Sequence, residues 1–138
     1  MKKHGVAVLA ALAVLVALTM PSFAQHAELM KIDVPFNFIV ENQRMPEGQY
    51  TIQPSRNGTV LIRSVDGKFT STVLSLPAPL AATATESQVV FYRYGDHYFL
   101  AQLWMQGQNT GRELLKGRAE SELARKGVRR TLASLAAH

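Results

Sequence analysis

The stretch MPEGQYTIQPSRNGTVLIRSVDGKFTSTV, residues 45–73, contains three turn signals separated by alternating apolar and polar residues. Alternation with a period of two is typical of strands that bury one face. The Asn-Gly pair at 57–58 and the Asp-Gly pair at 66–67 each favour a tight hairpin. Pro46 presets a turn, and Gly48 permits a positive φ on leaving it. The stretch therefore predicts an antiparallel meander of three strands.

The length of the first loop decides which residues of this meander face inward. A two-residue loop would pair Ile52 with Arg63 and mix the two faces. A three-residue loop, 56–58, pairs Ile52 with Ile62 and puts Gly58 in the left-handed position. Because a slip by one residue would turn the apolar set toward solvent, we predict the longer loop. The residues predicted to face inward are Tyr50, Ile52, Val60, Ile62, Phe69 and Val73.

Apolar and polar residues also alternate before and after the meander, which predicts further strands. An earlier strand is predicted from the apolar residues Ile32, Val34, Phe36, Phe38 and Val40. Pro35 places this strand at a sheet edge or next to a bulge, because proline cannot donate to a ladder. The segment SQVVFYRYGDHYFLAQLWM, residues 87–105, predicts a second hairpin. Gly95 suits the first position of a type II′ turn, which sets Tyr94 opposite His97.

The last part of the chain predicts a helix and a tail. The segment 76–87 is rich in Pro, Ala and Thr and is typical of a crossing loop. A helix that started at Thr110 would contain Gly117, at a cost of about 1 kcal/mol, so we prefer Gly117 itself as the cap. Gly127 ends the helix. We expect residues 128–138 to form a flexible basic tail.

These elements predict an all-β fold: a small antiparallel barrel or sandwich of six to seven strands with a short C-terminal helix, spanning residues 25–127. The preceding residues 1–24 have two lysines, an apolar run and small residues before Ala24, which is typical of a signal peptide. The run is shorter than the roughly 20 apolar residues that a membrane span needs. We therefore predict cleavage near Ala24 and a secreted or periplasmic protein.

Composition restricts the possible partners and cofactors. The chain contains no cysteine, which excludes disulfides and thiolate metal sites. Its formal net charge is +5, and from Arg112 onward it has seven basic and three acidic residues. Nucleic acid is a poor partner for an exported protein. We expect at most a peripheral contact between the basic C-terminal segment and anionic lipid or a polyanionic wall. The plainer interpretation is a solvated helix face.

The sequence shows no pattern that predicts catalysis. A hydrolytic triad needs a nucleophile, a base and a group that orients the base. Of the three histidines that follow residue 24, only His97 falls in a predicted strand or helix. Neither a Walker loop nor a GxGxxG motif occurs. We therefore expect no catalytic residue, no cofactor and no metal site. The remaining candidates for acid chemistry are scattered, mostly at predicted turns: Glu41, Glu47, Asp66, Asp96 and Glu113.

The strongest candidate for a binding surface is aromatic. Six of the eleven aromatic residues lie between Phe91 and Trp104. Strict alternation places four residues with flat rings or hydrogen-bonding groups on one face of the second hairpin: Arg93, Tyr98, Gln102 and Trp104. Such a surface suits sugar stacking or a protein partner. In the structural alternative, the two rings pack under the helix and the guanidinium pairs with Glu113 or Glu120.

Three segments resemble a family of small exported bacterial β-proteins of unknown function. They are VPFNFIVENQRMPEGQYTI (34–52), FYRYGDHYFLAQLW (91–104) and GRELLKGRAESELARK (111–126). The family layout is a signal peptide followed by VPFxF, PxGxYT, RYGDxYFL and GREL/RAE segments. The resemblance implies a compact β-domain and does not indicate a substrate. Gly117 departs from it, since a serine-like cap is expected there.

We therefore expect a non-catalytic binding or structural module of the envelope or extracellular space. Envelope polysaccharide and another envelope protein are the candidate partners. One alternative is a small-ligand or sugar carrier that uses the aromatic face, which a cavity of about a few hundred Å³ lined by aromatics would favour. The other alternative is a hydrolytic enzyme, which His97 buried beside an acid and a hydroxyl would favour.

Overall fold

Ten strands and one helix make up residues 29–138, the part of the chain that the computed structural model describes. The predicted signal peptide, residues 1–24, lies outside this part. Helix α1 (Arg118–Arg125) lies between the last two strands. In chain order the strands are β1 (Met30–Val34), β2 (Phe38–Val40), β3 (Gln43–Met45), β4 (Gly48–Pro54), β5 (Thr59–Ser64), β6 (Thr70–Pro79), β7 (Gln88–Tyr94), β8 (His97–Trp104), β9 (Thr110–Leu114) and β10 (Arg130–Ala136).

The strands form one sheet in the order β1-β4-β5-β6-β9-β8-β2-β3, and β7 pairs with both β8 and β10. Every pairing is antiparallel except that of β2 with β8. Lys31 and His138 exchange two backbone hydrogen bonds, of 2.6 and 3.1 Å, where β1 meets the end of the chain. Within the described residues, strand pairing does not close the sheet. The all-β class and the C-terminal helix are confirmed, whereas a closed barrel is not found and the predicted six to seven strands are too few.

The meander of β4, β5 and β6 has the predicted register. Ile52 pairs with Ile62. The loop 56–58 joins the first two strands, with Gly58 at a φ of +90°. Five of the six residues predicted to face inward are buried. The exception is Phe69, which is 36% exposed and lies at the end of the second turn.

The main core lies on the inner face of the sheet. Phe38 makes edge-to-face contacts with Tyr50 and Phe91, at ring-centroid distances of 5.0 and 5.5 Å. Each fully buried large apolar side chain contributes roughly 1.5–3 kcal/mol. The core is Met30, Ile32, Val34, Phe38, Val40, Met45, Tyr50, Ile52, Val60, Ile62, Val73, Val89, Phe91, Leu100, Leu103 and Leu114.

Proline changes the bounds of two predicted segments. The predicted strand 32–40 is split into β1 and β2 around Pro35, because a residue without an N–H cannot extend a ladder. Its two halves pair with different neighbours, β1 with β4 and β2 with β3 and β8. The predicted loop 76–87 is a loop only after Pro79. Its first four residues extend β6 and pair with β9.

Residues 128–138 do not form the predicted flexible tail. Strand β10 makes seven antiparallel pairs with β7, from Arg130 opposite Tyr94 to Ala136 opposite Gln88. The inner side of β10 is partly buried against the main core through Ala133, Leu135 and Ala137. Small residues on the buried side give a weak hydrophobic pattern. The pairing depends on the open edge of β7, which the tail's own sequence does not reveal.

Helix α1 begins at the predicted cap, Gly117, but the capping group comes from elsewhere. The Asn42 Oδ1 atom in the β2–β3 turn accepts hydrogen bonds from the backbone N–H groups of Arg118 at 3.0 Å and Ala119 at 3.4 Å. A Cβ atom on Gly117 would lie 2.2 Å from the carbonyl oxygen of Glu41. A serine-like cap therefore does not fit, and glycine lets the turn approach closely enough to cap the helix.

We expect Asn42→Ala to lower the free energy of unfolding by about 1 kcal/mol, since it removes the capping acceptor. Asn42→Asp keeps an acceptor and should retain most of the stability. Asn109→Ala is the control, because Asn109 is exposed and its described bond is made by its backbone. Urea unfolding measures all three. Equal midpoints for Asn42→Ala and Asn109→Ala would contradict the cap.

We expect a chain that ends at Gly127 to melt roughly 10 °C lower than one that ends at His138, because a loss of about 2 kcal/mol shifts the Tm of a small domain by this much. The deletion removes β10 and uncovers the edge of β7. A chain that ends at Ala136 keeps the strand but loses the Lys31–His138 bonds, so it should melt between the other two. Circular dichroism measures the melting, and a flexible tail would leave the Tm unchanged.

Candidate functional site

A β-bulge divides the four residues that strict alternation placed on one face. Phe91 pairs with Leu100, as the tight turn requires, but Val90 pairs with Gln102. Ala101 is therefore an extra residue in β8, and the side chains beyond it face the opposite way from strict alternation. The four predicted residues do not share one face. Their role as a ligand or partner surface stays a prediction.

Arg93 and Tyr98 lie together at the turn of the second hairpin. The Arg93 guanidinium carbon is 5.3 Å from the centroid of the Tyr98 ring, and its Nε donates to the Gly95 carbonyl at 2.7 Å. The Tyr98 ring stacks on Phe36, with centroids 3.8 Å apart and planes 16° apart. Arg93 forms no ion pair within residues 29–138. The predicted alternative, a pair between this guanidinium and an acid, is therefore not formed there.

Gln102 and Trp104 lie on the outer face of the sheet, the face on which helix α1 packs. Gln102 Nε2 donates to the Tyr92 hydroxyl at 3.0 Å. Trp104 covers Gly111 of β9, where a Cβ atom would lie 2.2 Å from the indole Cε3. We call the buried group here the outer cluster. It comprises Val90, Tyr92, Tyr94, Phe99 and Ala101, with Ile39, Trp104, Ala119 and Leu123 packed against it.

The outer cluster contains a buried carboxyl group. Glu120 of α1 is 5% exposed, and its Oε1 accepts a hydrogen bond from the Tyr94 hydroxyl at 3.4 Å. Burial raises the pKa of Glu120, while Lys116, the Tyr94 hydroxyl and Arg130 oppose the rise. The Tyr92 hydroxyl donates to Glu113 at 3.1 Å. This network joins the helix to the sheet, and it supplies no open site for a ligand.

We expect the pH dependence of stability to report on Glu120. Because its pKa in the folded protein is raised above 4.5, its stabilising contribution is complete below that value and is lost as the pH rises through the folded pKa. Glu120→Gln removes this titration. The stability of the variant relative to the parent, measured by urea unfolding, should therefore rise as the pH increases above 4.5. Glu122→Gln, on the same helix and partly exposed, is the control. Parallel curves for parent and Glu120→Gln would contradict the assignment.

A cleft of about 270 Å³ opens between the start of β4 and the β5–β6 turn. The register of the meander brings these segments together. Tyr50 pairs with Ser64, and the Val65 N–H donates to the Gln49 carbonyl at 2.9 Å. The side chains that shape the cleft are Pro46, Glu47, Tyr50, Val65, Asp66 and Phe69.

Apolar groups form much of the cleft wall. Val65 and Phe69 are both exposed although they are large and apolar. Tyr50 is buried, and its hydroxyl donates to the Pro46 carbonyl at 2.5 Å. Burial, and secondarily the charge of Asp66, raise the pKa of Tyr50, so its hydroxyl stays protonated at neutral pH. The apolar part of a ligand can pack against these side chains.

The charged groups of the cleft are both acids. Asp66 accepts hydrogen bonds from the Ser64 hydroxyl at 2.6 Å and the Lys68 N–H at 3.0 Å, and these bonds lower the pKa of Asp66. Glu47 is exposed, and within the described residues its carboxylate has no hydrogen-bond or ion-pair partner. No basic side chain lines the cleft, although the charge of nearby Lys68 also contributes to the lowered pKa of Asp66. The arrangement therefore attracts a cation.

The sequence alone could have predicted this cleft, although none of its motifs taken separately indicates it. Glu47 and Asp66 appear as scattered turn acids, 19 positions apart in the chain. However, the register that pairs Ile52 with Ile62 also sets Gly48 opposite Asp66. The turn before β4 and the β5–β6 turn therefore lie at the same end of the sheet. Extending the register by four residues would have placed the two acids together.

The described residues include neither a cluster of metal-ligating side chains nor a buried histidine. Among residues 29–138 there is no group of three or more His, Cys, Asp or Glu side chains that could hold a metal ion. His97 is exposed beside the tight turn rather than buried with an acid and a hydroxyl. In the same region, no helix has both the length and the apolar character needed to cross a membrane.

No family model, curated protein or solved structure matches this chain. The family resemblance of its VPFxF, PxGxYT and RYGDxYFL segments stays a prediction.

Proposed function

We propose that this chain is an exported, non-catalytic binding module that takes a basic side chain of another envelope protein into the cleft. The observation that carries the proposal is the pair of carboxylates, Glu47 and Asp66, in a cleft with apolar walls and no basic lining residue. Export itself is supported by the pattern of residues 1–24.

The size and charge of the cleft suit one lysine or arginine side chain. Drug-sized ligands occupy pockets of about 300–1,000 Å³, whereas this cleft has about 270 Å³. The aliphatic stem of a basic side chain packs on apolar surface while its charged head meets a carboxylate. Val65 and Phe69 supply that surface, and Asp66 keeps its charge because its folded pKa is lowered.

The same carboxylates are the feature that favours the hydrolytic alternative, since glycosidases use two of them. One member of such a pair must act as a proton donor, and its pKa is raised by its surroundings. Asp66 has a lowered pKa, and Glu47 is exposed to solvent. We therefore favour binding over hydrolysis.

We expect acetyl-arginine amide to shift the backbone NMR signals of Gly48 and Asp66, and the neutral isostere acetyl-citrulline amide to leave them unchanged. Glu47→Gln should weaken the arginine compound by about 2- to 5-fold, as an exposed ion pair of up to about 1 kcal/mol implies. Glu86→Gln is the matched control, because Glu86 is exposed in the loop before β7, does not line the cleft and makes the same change of charge.

Three results would count against this function. Equal shifts with both amides would remove the role of charge. Equal weakening by Glu47→Gln and Glu86→Gln would show a general electrostatic field instead of a site. Shifts with N-acetylglucosamine and none with the arginine compound would support the sugar-carrier alternative in its place.

A further inference from the structure

The turn between α1 and β10 concentrates positive charge. Arg125, Lys126 and Arg129 are all exposed there, and none of them forms an ion pair with a described residue. The two acids of the helix do not neutralise them. Glu120 is buried beneath the helix, and Glu122 pairs with Arg118 at 3.2 Å. The charge of this turn is therefore presented to solvent.

Two exposed apolar side chains lie close to these cations in the chain. Val128 is 36% exposed, and Leu132 is 65% exposed, the highest value among the large apolar residues of the described region. Leu132 pairs with Tyr92, which places it on the outer face beside the outer cluster. We call Arg125, Lys126, Val128, Arg129 and Leu132 the basic-apolar surface.

The basic-apolar surface is held by backbone hydrogen bonds. The Gly127 N–H donates to the Ala124 carbonyl at 3.2 Å, and the Val128 N–H donates to the Leu123 carbonyl at 3.3 Å. Gly127 has a φ of +76°, which turns the chain sharply from the helix into β10. The three cations and Val128 thus lie at the end of the helix and in one fixed turn, and Leu132 follows in β10.

We propose that the basic-apolar surface docks the protein on an anionic lipid bilayer. The cations meet anionic headgroups, and Leu132 and Val128 enter the boundary between headgroups and acyl chains. A basic residue near an anionic membrane raises affinity by about fivefold. A solvated helix face would explain the cations, but it gives no reason for the most exposed leucine of the described region to lie on the same outer face as the helix. This contact uses no residue of the cleft.

Vesicle sedimentation tests the proposal. The chain from Gln25 onward, which keeps every described residue, is mixed with vesicles of phosphatidylcholine containing 30% phosphatidylglycerol, or of phosphatidylcholine alone. We expect binding to the anionic vesicles, falling steeply with added salt, and at least 20-fold weaker binding to the neutral ones.

Two matched pairs of variants test the site. The triple variant Arg125→Gln, Lys126→Gln, Arg129→Gln should bind anionic vesicles at least 20-fold more weakly. Its control, with the same change of charge on exposed residues elsewhere, is Arg44→Gln, Arg56→Gln, Arg63→Gln and should lose less than 5-fold. The second pair tests the apolar contact. Leu132→Ser should weaken binding to anionic vesicles about 3- to 5-fold. Leu76→Ser, at a residue that is 59% exposed, should leave that binding unchanged.

The proposal is overturned if the parent chain does not bind the anionic vesicles, or if both triple variants lose affinity equally. It is also overturned if soluble polyphosphate binds as tightly as the vesicles and Leu132→Ser has no effect, since the surface would then recognise polyanions and not a bilayer. Arginine-amide binding at the cleft is unaffected by these outcomes, so the two proposals fail separately.

Discussion

The register of the meander depends on one loop, and much of the structure depends on that register. In a pleated strand successive side chains point to opposite faces, so a shift by one residue would move a whole apolar set into water. The three-residue loop 56–58, with Gly58 in a left-handed conformation, sets Ile52 against Ile62. From that pairing follow the buried stripe of β4 to β6 and the meeting of the two turns that form the cleft.

The alternation of inward and outward side chains is interrupted in β8 at Ala101. This bulge changes which side chains the second hairpin presents on each face. Ala101 adds a residue to β8, so Tyr98 packs toward the main core while Trp104 packs against the outer cluster. The aromatic residues there mainly support the fold. Trp104 covers the bare backbone of Gly111, and the buried Glu120 ties the helix to the sheet. The two surfaces proposed here for partners, the acidic cleft and the basic-apolar surface, have opposite charge and lie on different elements.

Several features were accessible from local sequence because their causes are local. The Gly95 turn and the loop at 56–58 each depend on a positive φ that glycine permits, and the helix start at Gly117 keeps a glycine out of the helix interior. The ends of β1 and β6 were predicted less well, because the effect of a proline depends on which neighbour the strand would have met. The cleft was only partly accessible: its acids were visible as turn residues, and their proximity required the register to be extended beyond the strands.

By itself, the sequence determined the all-β class, the alternation of the meander and the absence of thiol chemistry, because side-chain period and residue type act over a few positions. The tertiary structure alone decided that residues 130–136 form a strand, that Asn42 caps a helix 76 residues away, and that a bulge separates Tyr98 from Trp104. The first two depend on groups distant in the chain, the open edge of β7 and the approach of a turn to Gly117, and the third depends on how the side chains of β8 fit against β7. No local pattern encodes such contacts, since their free energy exists only once the sheet has formed.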